Sequence, residues 1–133
     1  MPQDKKSGAA ANRYGRETAV KIMKKLGTKP ISTLSNECFL NNKLVVIKCS
    51  RKYTKCVGVS YLMLKRLDTV MGAFETEDGT YDLFELSPKV FANNMRPTRS
   101  KGASAGKVGL VTQSVFEAKG KFLKSLSIGR SGK

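Results

Sequence analysis

Asn36-Glu37-Cys38-Phe39-Leu40-Asn41-Asn42-Lys43-Leu44-Val45-Val46-Ile47-Lys48-Cys49-Ser50 decides the fold. Two runs rich in apolar and β-branched residues flank Asn41-Asn42, a pair able to supply the positive φ angles of a two-residue hairpin turn. With that turn, Leu40 pairs with Lys43, Cys38 with Val45 and Glu37 with Val46. One face then carries Cys38, Leu40, Val45, Ile47 and Cys49, a continuous apolar strip that reads as core. The other carries Glu37, Phe39, Leu44, Val46 and Lys48, where one acid and one base sit among apolar residues.

N-terminal to the hairpin, Ala19, Ile22, Met23 and Leu26 recur at helical spacing and predict a helix over 14–26. Lys24 and Lys25 suit the negative end of its dipole. Gly27 is its stop, with Pro30 beyond. Glu17 lies nearly opposite the apolar stripe, closer to Val20. Residues 1–12, polar and small, read as a flexible basic arm. The opening Met1-Pro2-Gln3-Asp4-Lys5-Lys6 has no apolar stretch behind it and does not read as a secretory signal.

C-terminal to the hairpin, Arg51-Lys52-Tyr53-Thr54 reads as a basic turn and 55–59 as a third strand. Ser60 caps a helix expected to run to Asp68 and, being apolar on several sides, to be well buried. Residues 69–75 and 80–86 form a second hairpin around Glu77-Asp78-Gly79. The acids Glu75, Glu77, Asp78 and Asp82 at its tip read as a solvated turn. Ser87-Pro88 opens a short helix over 89–95. Residues 13–95 are thus the expected α/β core domain. From Arg96 onward the chain is basic and rich in Gly, Ser and Pro, and 96–133 reads as a basic C-terminal extension. Within it, 108–126 regains enough apolar residues for a strand and a helix docked on the core. Gly102 to Lys107 lacks the spacing of a phosphate loop.

Charge is sorted along the chain. The whole carries +15, of which residues 1–30 hold +6, residues 31–95 hold +1 and residues 96–133 hold +8. Solubility alone gives no reason for such sorting, whereas a polyanion does, because each neutralised phosphate releases counterions. The reading requires the basic ends to converge on one surface. Arg13, Arg16, Arg51, Lys52, Tyr53, Lys55, Arg96, Arg99, Lys101 and Lys107 are the candidate contacts. Charges around Tyr53 suit phosphate contact with base stacking. Arg96, Arg99 and Lys101 suit a backbone clamp or a minor groove.

Other chemistry is narrowed by what is missing. The chain has no histidine, which removes Ser-His and Cys-His nucleophiles. Three cysteines and no histidine argue against a four-ligand zinc site and against a disulfide framework. Free thiols in a reducing cytoplasm are the expected state. No apolar run approaches the ~20 residues of a membrane span.

The element order helix, strand, strand, strand, helix, strand over about residues 14–75 resembles the core of the PD-(D/E)XK, or restriction-endonuclease-like, nucleases. The resemblance implies an α/β (α+β) domain with a mixed, mostly antiparallel sheet and helices packed on it. It also implies Mg²⁺ held by acids, with a lysine at the scissile phosphate. Glu17 matches the family's helix glutamate, Glu37 its first-strand acid and metal ligand, and Lys48 its second-strand lysine. The remaining acid, two residues before that lysine, falls on Val46. The expectation is a nucleic-acid-binding protein, DNA before RNA, on a nuclease-like fold. Mg²⁺-dependent endonuclease activity would rest on Glu37, Lys48 and Glu17. A scaffold that binds DNA without cutting it, a ribosome-associated or other RNA-binding protein, and a module for an acidic protein partner are the alternatives. The expected setting is the cytoplasm or nucleoid, with no membrane partner and a homodimer left open.

Overall fold

A computed structural model describes residues 2–32, 35–97 and 107–128. The first hairpin forms in the expected register. β1 (Glu37–Leu40) runs antiparallel to β2 (Lys43–Ser50), pairing Glu37 with Val46, Cys38 with Val45 and Leu40 with Lys43. Asn41 and Asn42 take φ of 52° and 66°, the left-handed turn that Asn tolerates better than most residues.

β2 is followed by β3 (Cys56–Ser60), α2 (Tyr61–Leu64) and β4 (Thr69–Glu75). β4 pairs parallel with β2, so the chain must cross over between them, and β3 with α2 makes that crossover. β5 (Tyr81–Leu86) returns antiparallel to β4. Then come α3 (Pro88–Asn94), β6 (Arg96–Pro97), β7 (Val108–Thr112), α4 (Gln113–Lys119) and β8 (Lys121–Leu126). The result is a mixed α/β protein. A five-stranded sheet has the order β1-β2-β4-β5-β8, antiparallel except at β2–β4. A second, antiparallel sheet has the order β3-β7-β6.

The large sheet is buried on both faces, which is why its central strand β4 reads as a nearly unbroken apolar run. On one face α1 (Pro2–Leu26) seats Ala19, Ile22 and Met23 against Cys38, Val45, Ile47, Met71, Ala73 and Leu83. On the other, the small sheet and the three short helices bring Val57, Val59, Leu64, Phe91, Val111 and Phe116 onto Val46, Val70, Phe74 and Phe84. Phe74 meets Phe116 edge-on at 5.2 Å between ring centres, an arrangement aromatic quadrupoles favour.

Three expectations need correction. The helix predicted over 14–26 extends back to Pro2, through the stretch expected to be a flexible arm. Ala9-Ala10-Ala11 has the highest helix propensity and no proline interrupts it. Its end is as expected: Gly27, at φ 81°, donates to the Lys24 carbonyl while Thr28 donates to that of Met23, the paired bonds of a glycine stop. The helix after Ser60 is capped as expected, with the Met63 amide donating to Ser60 Oγ, but it ends at Leu64 instead of reaching Asp68. The chain must straighten to enter β4, and Asp68 is held outside the helix by accepting from the Leu44 amide at 2.8 Å. Nor is α2 well buried, since only Leu64 is inside and Leu62 is 75% exposed. Third, residues 107–128 of the expected basic extension are part of the fold. β7 is the central strand of the small sheet and β8 an edge of the large one. Val57 and Val59 on β3 share their buried cluster with Val111 on β7, which pairs directly with Val57. The charge boundary near residue 96 is not a fold boundary.

Candidate nucleic-acid interface

The hairpin register places Glu37 and Lys48 on the face of the large sheet that looks toward the small sheet, Glu37 beside Val46 and Lys48 two residues beyond it. Glu37 is 5% exposed. A carboxylate buried that far requires a counter-charge, and Arg66, in the loop between α2 and β4, supplies it. Arg66 Nη2 donates to Glu37 Oε1 and Oε2 at 2.7 Å, and Nε donates to Oε2 at 3.1 Å. The Glu37 backbone amide is closed by Ser35 Oγ at 2.8 Å. Both carboxylate oxygens are therefore committed to a guanidinium.

Lys48 is half-buried and, among the described residues, has no hydrogen-bond or ion-pair partner. Burial lowers its pKa from the ordinary lysine value. Nearby Cys49 and Glu37 oppose that shift.

The expected catalytic set does not assemble. Glu17 is exposed on α1, which covers the opposite face of the sheet from Glu37 and Lys48. Val46, at the position of the missing acid, is fully buried in the apolar layer between the sheets. Among the described residues no three His, Cys, Asp or Glu side chains are placed so that they could hold a metal ion. These residues do not fit Mg²⁺: the single inward carboxylate is already neutralised by Arg66, and its neighbour is an apolar wall. No local sequence pattern points to Arg66, because it lies 29 residues from Glu37 and the two positions are brought together only by the crossover.

The predicted phosphate contacts divide into two groups. β2 and β4 are parallel, so their C-terminal ends, Ser50 and Glu75, lie together. The 51–55 turn sits at that end. Arg51 places its guanidinium 4.0 Å from the centre of the Tyr14 ring, not on Tyr53. That contact ties the turn to α1, the helix that also carries Arg13 and Arg16. Tyr53 is 86% exposed, with Lys52 Nζ 5.2 Å from its ring centre. Lys52 and Lys55 also line a groove with Glu75, Glu77 and Glu117, and Glu75 Oε1 accepts from the Lys52 backbone amide. The carboxylates dilute the positive charge on that side of the turn. They also give the hairpin acid Glu75 a structural task beyond the solvated turn expected for it.

Arg96 and Lys107 belong to the other layer. Arg96 is exposed on β6 at the edge of the small sheet, and Lys107 precedes β7, its carbonyl accepting from the Tyr61 amide. Arg99 and Lys101 lie outside the described residues. Convergence of all the candidates on one surface is therefore not what the described residues display.

No protein-family model, curated protein or solved structure matches this chain. No described helix is long and apolar enough to cross a membrane.

Proposed function

We propose that the protein binds nucleic acid, DNA before RNA, through contacts to the phosphate backbone, and that it does so as a binding scaffold of the cytoplasm or nucleoid. The observation that carries this reading is the excess of unpaired cations. The chain has 25 basic residues against 10 acidic, yet among the described residues the one ion pair is Arg66–Glu37. The other cations whose side chains are described make no ion pair within the protein, Arg51 packing on Tyr14 instead. Desolvated partners within the protein would explain them; without such partners, a polyanion does. At the end of the sheet Lys52 lies over the exposed ring of Tyr53 and Arg51 over the ring of Tyr14, and this mixture of charge and aromatic surface suits a nucleic-acid strand.

The commitment of Glu37 to Arg66 favours binding over metal-dependent cleavage. A carboxylate that must first release a bidentate guanidinium is a poor Mg²⁺ ligand, and Val46 offers no second oxygen.

The test is fluorescence anisotropy with short labelled DNA and RNA, with EDTA and again with Mg²⁺. Binding should not require the metal, the oligonucleotide should stay intact, and affinity should fall steeply between about 50 and 200 mM salt. Binding that is flat across that range would remove the phosphate-contact reading. Cleavage that needs Mg²⁺ and is lost in Glu37→Ala would restore the enzymatic one. RNA bound more tightly than DNA of the same length would reverse the preference.

A further inference from the structure

Phe39 lies on the same face of β1 as Glu37, two residues further along. It is 60% exposed, although its register partner Leu44 packs against the core. β1 is the edge strand of its sheet, met on its outer side by the 28–31 segment, where Thr28 Oγ1 donates to the Phe39 carbonyl, and the Phe39 ring stays exposed beside it. Two residues of extended chain span ~7 Å, and Glu37, that far along the same face, is the residue on whose carboxylate the Arg66 guanidinium is held. Three features of Arg66 make it more than a surface charge. Its Nε and Nη2 are locked onto Glu37, so its plane is fixed. Its Nη1 has no protein acceptor among the described residues. Its side chain is 56% exposed, so the unused N–H groups meet solvent. Lys43 and Lys65 are exposed nearby in the chain; the acid of this region, Asp68, is turned to the Leu44 amide.

We propose that Phe39 and Arg66 form a contact for single-stranded nucleic acid, the ring stacking one base and the free edge of the guanidinium donating to a neighbouring phosphate. The proposal rests on the nucleic-acid reading and names its substrate class. Stacking on an exposed ring needs a base with a free face, and in a duplex those faces are covered by neighbouring base pairs. The contact is therefore selective for unpaired strands while tolerant of sequence, because every base has a π-face. The bidentate hold on Arg66 removes rotamer freedom before the phosphate arrives, which reduces the entropy lost on binding.

The experiment uses the natural absence of tryptophan from the chain. Phe39→Trp introduces a single indole at the proposed stacking position. Titration with a labelled oligothymidylate should quench its emission and preserve wild-type affinity. Phe39→Ala, at a position exposed enough to tolerate it, should weaken single-strand binding about tenfold with the salt slope unchanged, since no phosphate contact is lost. Arg66→Gln should weaken binding and make the salt slope shallower. Wild type should bind the single strand several-fold more tightly than a duplex of equal length. Unquenched indole emission with the strand bound, wild-type affinity in Phe39→Ala, or equal affinity for duplex would each overturn the contact while leaving general nucleic-acid binding intact. Failure of the wild type to bind either form at low salt would overturn the nucleic-acid reading itself.

Discussion

Arg66 closes on Glu37 from 29 residues away, with Nη2 2.7 Å from each carboxylate oxygen. The acid is almost entirely inside the protein while the base is half in water, side-chain exposures of 7% and 56%. The two partners therefore do not contribute alike. Removing the base strands a charge in an apolar layer, whereas removing the acid leaves a guanidinium that water can solvate.

That asymmetry sets the first expectation. Arg66→Ala should destabilise by ~1–3 kcal/mol, the cost of an unsatisfied buried charged group reduced by the solvent on the outer side of the pair. Glu37→Gln should cost less, because its amide can be kept in place by Ser35 and water. Combining the two should recover part of the Arg66→Ala loss. Urea denaturation of the four proteins, read as a double-mutant cycle, measures this. Strictly additive losses would mean that the pair does not couple.

Lys48 should make the fold more stable as pH rises. Burial lowers its pKa in the folded state, with Cys49 and Glu37 opposing. Between that lowered value and the ordinary ~10.4 the unfolded chain binds more protons than the folded one, so raising pH through this window stabilises the protein. Below it both states carry the proton, and the folded state bears the full cost of a half-buried ammonium. Lys48→Met keeps an unbranched side chain one atom shorter and removes the charge. It should raise Tm at neutral pH, and the advantage should shrink as the wild type approaches pH 10. Thermal melts of both proteins across that range test the sign. An advantage that grows with pH would contradict it.

The first hairpin was legible because its physics is local. Asn41-Asn42 determines the turn, the turn determines the register, and period-two alternation determines the faces, so the placing of Glu37 beside Val46 follows from residue order alone. Ser60 and Ser87 were legible as helix caps for the same reason. The length of α2 was not, since Lys65 to Leu67 still turn back on Leu62 and Met63 through their amides and only the entry into β4 stops the helix there. Nor was the place of residues 108–126. Their apolar spacing predicts a strand and a helix, but that β7 would lie between β3 and β6 and β8 edge the other sheet depends on pairing with β3 and β5, far back in the chain. At the candidate site the same division holds: Glu37, Val46 and Lys48 were placed by local alternation, while Arg66, Tyr14 over Arg51 and the exposed Phe39 emerge only from tertiary packing.

Gly120 ends α4 where the chain turns into β8. A Cβ built on it would stand 2.4 Å from the Glu85 carbonyl oxygen and 2.7 Å from that of Phe116. Both are backbone atoms within pairing elements, so neither can move aside cheaply. Gly120→Ala should destabilise by ~1–3 kcal/mol through overpacking. The affected elements should be β8 and its pairing with β5, so amide hydrogen exchange should quicken at Lys121–Leu126 before it does at β2. Uniform loss of protection across both strands would show that the clash is not local.

Tyr14 and Tyr81 share a short hydroxyl–hydroxyl hydrogen bond that joins α1 to β5. Burial raises the pKa of both phenols above the usual tyrosine value; for Tyr14 the hydrogen bond to Tyr81 adds to the shift, whereas for Tyr81 the bonds to Tyr14 and Thr18 work against it. A folded-state pKa above the unfolded one contributes stability that is complete below the unfolded value, ~10, and is lost as pH climbs beyond it. The direction is opposite to that of Lys48, and the two effects separate in the mutants. Tyr14→Phe should cost ~1 kcal/mol at neutral pH, the net worth of one such bond, and should flatten the fall in stability above pH 10. Phenolate absorbance near 295 nm gives an independent reading. In the wild type part of the signal from the four tyrosines should be withheld until the protein unfolds at high pH, and Tyr14→Phe should shrink that withheld fraction. If all four ionise before unfolding begins, the phenols are accessible to hydroxide in the native state, and Tyr14 does not anchor α1 to the sheet as described.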